Sequence, residues 1–82
     1  VYVNAKYRGQ GIGERLLSHV LDEISQNPDI VKVKLLAVVQ QEAAIKLYQK
    51  TGFSIIARLK KDFRLDGQLY DEFLMEKFIH EK

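Results

Sequence analysis

Hydrophobic and polar positions change period several times along the chain. VYVN, residues 1–4, is β-type and reads as a short buried strand or the end of one. AKYRG, residues 5–9, has no period and reads as a loop. From Gly11 the apolar residues are Ile12, Leu16, Leu17, Val20, Leu21 and Ile24. Intervals of four, one, three, one and three trace one stripe of an amphipathic helix. Asn27-Pro28-Asp29 ends it, because proline disfavours helix in the residue before it. Residues 30–39, IVKVKLLAVV, are β-branched and partly alternating, so a strand.

The next segment, QQEAAIKLYQKTGF, returns to helical spacing, with Ala44, Ile45, Leu47 and Tyr48 on its apolar face. Lys50 falls in its last turn, and Gly52 stands where a left-handed cap belongs. Phe53 to Arg64 and Leu69 to Ile79 read as two strands around Asp66-Gly67, a dipeptide suited to a tight hairpin turn. The predicted order is β-α-β-α-β-β, an α/β (α+β) fold. Strands separated by helices imply parallel crossover, and the last two strands pair antiparallel, so the sheet is expected to be mixed with a C-terminal antiparallel hairpin.

Composition narrows the function classes. With 82 residues the chain is expected to be one domain at most. At that length folding buries only about 60–65% of the unfolded surface, so the core is thin. A formal net charge of +2 with scattered charges gives no argument for nucleic acid. Absence of cysteine removes disulfides and thiolate sites. His19 and His80 lie too far apart in sequence to suggest a metal site, and no metal is expected. No apolar run approaches a membrane span and no signal pattern opens the chain, so the expectation is a soluble, cytoplasmic protein.

The stretch RGQGIGERLL, residues 8–17, sets three glycines on alternate positions just before the first helical stripe. A helix start carries free N–H groups and a partial positive charge. Removing side chains there lets an anion sit on the amides. Gly9, Gly11 and Gly13 remove them, and Arg8 adds a fixed positive charge, so the stretch suits a phosphate or pyrophosphate. It is not a Walker loop, because Glu14 and Arg15 follow Gly13 where Lys and Ser/Thr are required. It is not the dinucleotide fingerprint either, because Glu14 stands at the third glycine position.

Arg8-Gly9-Gln10-Gly11-Ile12-Gly13 instead fits [Q/R]-x-x-G-x-[G/A], and with its surroundings resembles the acyl-CoA pyrophosphate motif of the GNAT superfamily of N-acetyltransferases. AAIKLYQKTGF resembles that family's second signature, a helix bearing A-I-x-L-Y that ends at Gly-Phe, and ARLKKDFRLDGQLYDEFLME looks like the closing hairpin of many bacterial members. The resemblance covers nearly the whole chain and implies acetyl-CoA as co-substrate and a primary amine, on a small molecule or a protein, as acceptor. It implies that the backbone of Val1, Tyr2 and Val3 takes the pantetheine arm. The amides of Gly9, Gln10, Gly11, Ile12, Gly13 and Glu14, with Arg8, would hold the pyrophosphate. Tyr48 matches the tyrosine that protonates the departing CoA thiolate, a step in which sulfur leaves as an anion that needs a proton. Two positions depart from the pattern. Gln41 stands for the usual asparagine, and Leu36 stands where some members place a glutamate base. Any base is then elsewhere, or is water.

Other polar residues are expected on the surface: His19 mid-helix, His80 near a frayed end, and Lys60-Lys61 on a solvated strand face. Asp71 and Glu72 alternate across a strand, cannot form an acid–base pair and are expected to be ordinary surface charge, although one of them could line the substrate side and attract an amine.

A full domain of this family is about twice as long, and its earlier half supplies much of the acceptor pocket. Residues 1–82 are thus expected to be a single but incomplete acetyltransferase domain: a fragment, a truncated homologue that covers its open face by forming a homodimer, or one of two chains. The missing initial Met favours a fragment. The competing function is a non-catalytic CoA-binding or interaction module that keeps the fold without the chemistry.

Overall fold

The computed structural model describes residues 14–80. The expected first strand, Val1–Asn4, and the glycine stretch up to Gly13 lie outside the described residues. The described elements run α1 (Glu14–Ser25), β1 (Lys32–Val38), α2 (Glu42–Lys50), β2 (Ser54–Leu65) and β3 (Gln68–Phe78). Their order is that of the sequence pattern after its first strand, an α+β arrangement with a small antiparallel sheet.

α1 buries one stripe, as its spacing predicts: Leu17 and Leu21 are buried and Ile24 is half-buried against the core. Leu16, which the spacing places in the stripe, is instead exposed at 46%, because neighbouring residues on a helix diverge by about 100° and Leu17 takes the buried position. The helix stops at Ser25, whose hydroxyl donates back to the Asp22 carbonyl at 2.7 Å. The turn around Pro28 is closed by Ile30 N–H to Asn27 C=O at 3.2 Å, and the Asn27 side chain accepts from Asp29 N–H at 3.0 Å.

α2 ends in a Schellman motif. Phe53 N–H donates to Tyr48 C=O at 2.9 Å and Gly52 N–H to Gln49 C=O at 3.1 Å. Gly52 takes φ +106°, a conformation that side chains resist. The Lys77 ammonium donates to the Thr51 carbonyl beside it, a cation at the negative end of the helix.

β3 is the central strand of a β1-β3-β2 sheet, antiparallel to both neighbours. β1 and β2 therefore run in the same direction on either side of it, so the crossover through α2 joins co-directional strands that do not touch. The sheet is antiparallel throughout the described residues; the parallel neighbour expected for β1, Val1–Asn4, lies outside them. The hairpin turn matches its dipeptide: Asp66 and Gly67 take φ +51° and +78°, and Leu65 pairs with Gln68 to close it.

β2 is less regular than its pattern suggests. Its register with β3 slips between Ile55 and Ala57 and again between Leu59 and Phe63. The second slip holds Lys61 at φ +52°, and the bulge turns that part of the strand away from regular pairing. The core gathers Leu17 and Leu21 of α1, Ile45 and Tyr48 of α2, Phe53, and Val33, Leu35, Ala37 and Met75 of the sheet. Those strand residues are alternate positions, so α1 and α2 cover one face of the sheet.

Candidate functional site

The described part of α1 begins at Glu14, which follows the glycine stretch in the sequence. Val1, Tyr2, Val3, Arg8, Gly9, Gln10, Gly11, Ile12 and Gly13 lie outside the described residues, as does the side chain of Glu14.

The second part of the site is α2. Gln41 stands at its N-cap and makes no side-chain capping bond. Its backbone is engaged on both sides: Gln41 N–H donates to Val38 C=O at 2.9 Å and its own carbonyl accepts from Ile45 N–H at 3.0 Å. The half-buried amide side chain is thus not committed to closing the helix.

Tyr48 is buried, with 3% exposure, so it is not an aromatic on the solvent face of its helix. Its ring meets Phe53 edge-on, with centroids 6.1 Å apart and planes at 64°. The same two residues are joined through the backbone, because Phe53 N–H caps the Tyr48 carbonyl. Thr51 reinforces this, its hydroxyl donating to the same carbonyl at 2.9 Å. Gly52 and Phe53 of the G-F signature thereby hold the tyrosine backbone and ring together, which gives the signature a mechanical reason.

Asp71 and Glu72 separate as strand alternation requires. Asp71 accepts from Arg58 Nε at 2.8 Å and from Lys61 N–H at 2.9 Å. The Lys61 backbone hydrogen bond, followed by the Arg58 hydrogen bond, holds its carboxyl below its ordinary value. It plugs the second bulge of β2, and the Arg58 guanidinium lies 5.8 Å from the centre of the Phe73 ring. Glu72 faces the other side and is 1% exposed, the most buried charged residue among those described. Ordinary surface charge, the sequence expectation, is corrected for Glu72: it stands mid-sheet between Val38 of β1 and Leu59 of β2. Nothing local in the sequence announces this, because the burial comes from strands distant along the chain.

His19 is exposed and pairs with Glu23 at 3.1 Å. The His80 Nε2 lies 2.9 Å from the Ser25 carbonyl at the end of α1. Among the described residues no group of His, Cys, Asp and Glu is arranged to hold a metal, and no helix is long and apolar enough to cross a membrane. An open depression on α1 is lined by Arg15, Ser18, His19 and Asp22 and includes none of Gln41, Tyr48 or Glu72.

Residues 1–55 match the model of the acetyltransferase (GNAT) domain. The chain belongs to the GNAT family. The match takes in the glycine stretch, α1, β1 and the whole of α2 with Tyr48, and leaves most of the β2–β3 hairpin outside. Among curated GNAT relatives, N-alpha-acetyltransferase 50 of Danio rerio is 37% identical over 60 residues, 73% of this chain and 36% of the relative. Spermidine N(1)-acetyltransferase of Escherichia coli K12 is 27% identical over 81 residues, 99% of this chain and 44% of the relative. The chain thus spans less than half the length of these relatives. In structure it is similar to Arabidopsis thaliana NAA60 in complex with acetyl-CoA, with a TM-score of 0.80 and 30% identity over 95% of this chain and 47% of that one. This likeness extends over the hairpin and places the whole described arrangement in the GNAT fold.

Proposed function

We propose that residues 1–82 form the acetyl-CoA-binding part of a single N-acetyltransferase domain that moves an acetyl group from acetyl-CoA to a primary amine. The observation that carries this reading is the pairing of two features in one short chain. The glycine-rich sequence Arg8–Gly13 precedes α1, and Tyr48 is locked on α2 by the Schellman cap and Phe53. In this reading Val1, Tyr2 and Val3 take the pantetheine arm through their backbone, Arg8 and the amides from Gly9 to Glu14 hold the pyrophosphate, and Gln41 reaches the cofactor from the start of α2. The amine attacks the thioester carbonyl, the tetrahedral intermediate collapses, and the Tyr48 hydroxyl gives its proton to the sulfur as the C–S bond breaks. The names of the relatives specify acetylation at an α-nitrogen and at N1 of spermidine, both amines, which supports an amine acceptor here.

A second reading, a CoA-binding module without chemistry, draws on Leu36, an apolar residue where a base would serve. One experiment addresses both. Acetyl-CoA binding is measured by calorimetry on the intact protein and on Gly11→Asp, and turnover is then followed with a panel of amines. Binding in the parent, lost in Gly11→Asp because a carboxylate then occupies the phosphate position, supports the loop assignment. Turnover selects the enzyme; binding without turnover of any amine selects the module. A Gly11→Asp variant that binds as well as the parent refutes the loop assignment.

A further inference from the structure

Tyr48 lies in the last turn of α2, a helix of nine residues. A helix this short is marginal by itself and helix ends fray, so a side chain there is placed by whatever ties the end down. The start of α2 gives little help, because Gln41 makes no side-chain cap bond. At the other end the ties converge on one carbonyl. Tyr48 C=O accepts from Thr51 N–H at 3.2 Å, from the Thr51 hydroxyl at 2.9 Å and from Phe53 N–H at 2.9 Å. Two of these donors belong to Thr51. Thr51 is held in turn by a residue 26 positions further along, because the Lys77 ammonium donates to its carbonyl.

We propose that Lys77 is a positioning residue for acetyl transfer: by holding Thr51 it fixes the Tyr48 hydroxyl relative to the central strand of the sheet. This rests on the acetyl-transfer reading above. Lys77 stands on β3, opposite Val33 of β1 and two residues from Met75, both fully buried. It therefore shares the face that α1 and α2 cover, and its half-buried side chain runs past Gly52 to the end of α2. A Cβ at Gly52 would meet Lys77 Nζ at 2.9 Å and its Cδ and Cε at 3.5 Å. The glycine thus has a second function besides its φ of +106°: it leaves room for the lysine.

The Schellman cap by itself fixes Tyr48 only within its own segment of chain. Lys77 adds the sheet as a reference. Lys50, the basic residue in the last turn of α2, belongs to the helix and cannot set its position against the strands. A cation suits this place, because the last carbonyls of a helix carry partial negative charge and a charge-assisted hydrogen bond is about twice as strong as a neutral one. The lysine stem packs along Gly52 while its head makes the bond. Placement matters because a general acid acts only within hydrogen-bond reach of the atom it protonates. A shift of about 1 Å at a reacting group can cost about 10²-fold in rate.

The test is a kinetic cycle in the intact protein: parent, Lys77→Met, Tyr48→Phe and the double variant, with spermidine and an N-terminally free peptide as acceptors. Acetyl transfer is followed in a single turnover, so that product release does not mask the step. Met keeps an apolar stem and removes the charge and the donor. Lys77→Met should slow transfer about tenfold, less than a full 1 Å shift costs because the cap remains, while acetyl-CoA affinity stays within about threefold. In the Tyr48→Phe background the same substitution should change the rate by less than about twofold, because no hydroxyl is left to place. Lys77→Gln, shorter and uncharged, serves in the same cycle if the Met variant does not fold. An unchanged rate in Lys77→Met, an equal loss in both backgrounds, or a fall in acetyl-CoA affinity as large as the fall in rate overturns the role of Lys77 and leaves acetyl transfer standing. A parent protein that binds acetyl-CoA but acetylates neither amine overturns both readings.

Discussion

Gly52→Ala is the most direct test of what holds Tyr48. Gly52 has φ +106°, and a Cβ built there would meet Lys77 Nζ at 2.9 Å. The backbone contributes the first cost: a side chain in so sparsely populated a region is worth about 1–3 kcal/mol of strain. The contact contributes the second. The lysine tip is flexible and can swing away, so the overlap itself is cheap, but moving it breaks the Lys77 bond to the Thr51 carbonyl. A charge-assisted bond of this kind is worth about 1.5–3 kcal/mol, and half-burial of Lys77 reduces that to about 1. The sum is about 2–4 kcal/mol. Urea denaturation of parent, Gly52→Ala, Lys77→Met and the double variant separates the two costs. The glycine substitution should cost about 1 kcal/mol less in the Lys77→Met background, where only the backbone strain remains. A Gly52→Ala variant within about 0.5 kcal/mol of the parent would refute the cap as the device that fixes α2 and its tyrosine.

Tyr48→Phe keeps the ring against Phe53 and removes only the hydroxyl, so turnover should fall at least about tenfold while acetyl-CoA affinity stays within about threefold, because the lost interaction forms chiefly in the transition state. An unchanged rate when chemistry is limiting would remove the acid role. For Asp71, whose folded carboxyl is held low by Lys61 N–H and Arg58, the contribution to stability is complete above its unfolded pKa and is lost as pH falls through the folded value. Asp71→Asn should therefore be less stable than the parent at neutral pH and converge on it in acid, as followed by urea denaturation across pH; a pH-independent difference would refute the linkage.

Much of this protein was legible in its sequence because the relevant physics is local. The stripe through Leu17, Leu21 and Ile24, the stop near Pro28, the Gly52 cap and the Asp66-Gly67 turn each depend on a few adjacent residues, and each stands where the pattern predicts. The glycine stretch and the A-I-x-L-Y helix are local too, which is why they identify the family from one chain. Strand order was not legible. Period-2 alternation marks a strand without choosing its neighbour, so the insertion of β3 between β1 and β2 is decided only when all three strands and both helices pack. The bulge at Lys61 depends on an Asp71 carboxylate ten positions further on. The burial of Glu72 depends on Val38 and Leu59, which reach it through the same pairing. By itself the sequence shows two adjacent acids on one strand. Only the tertiary structure makes one of them a brace for the hairpin and sets the other, nearly dry, on the sheet face opposite α1 and α2.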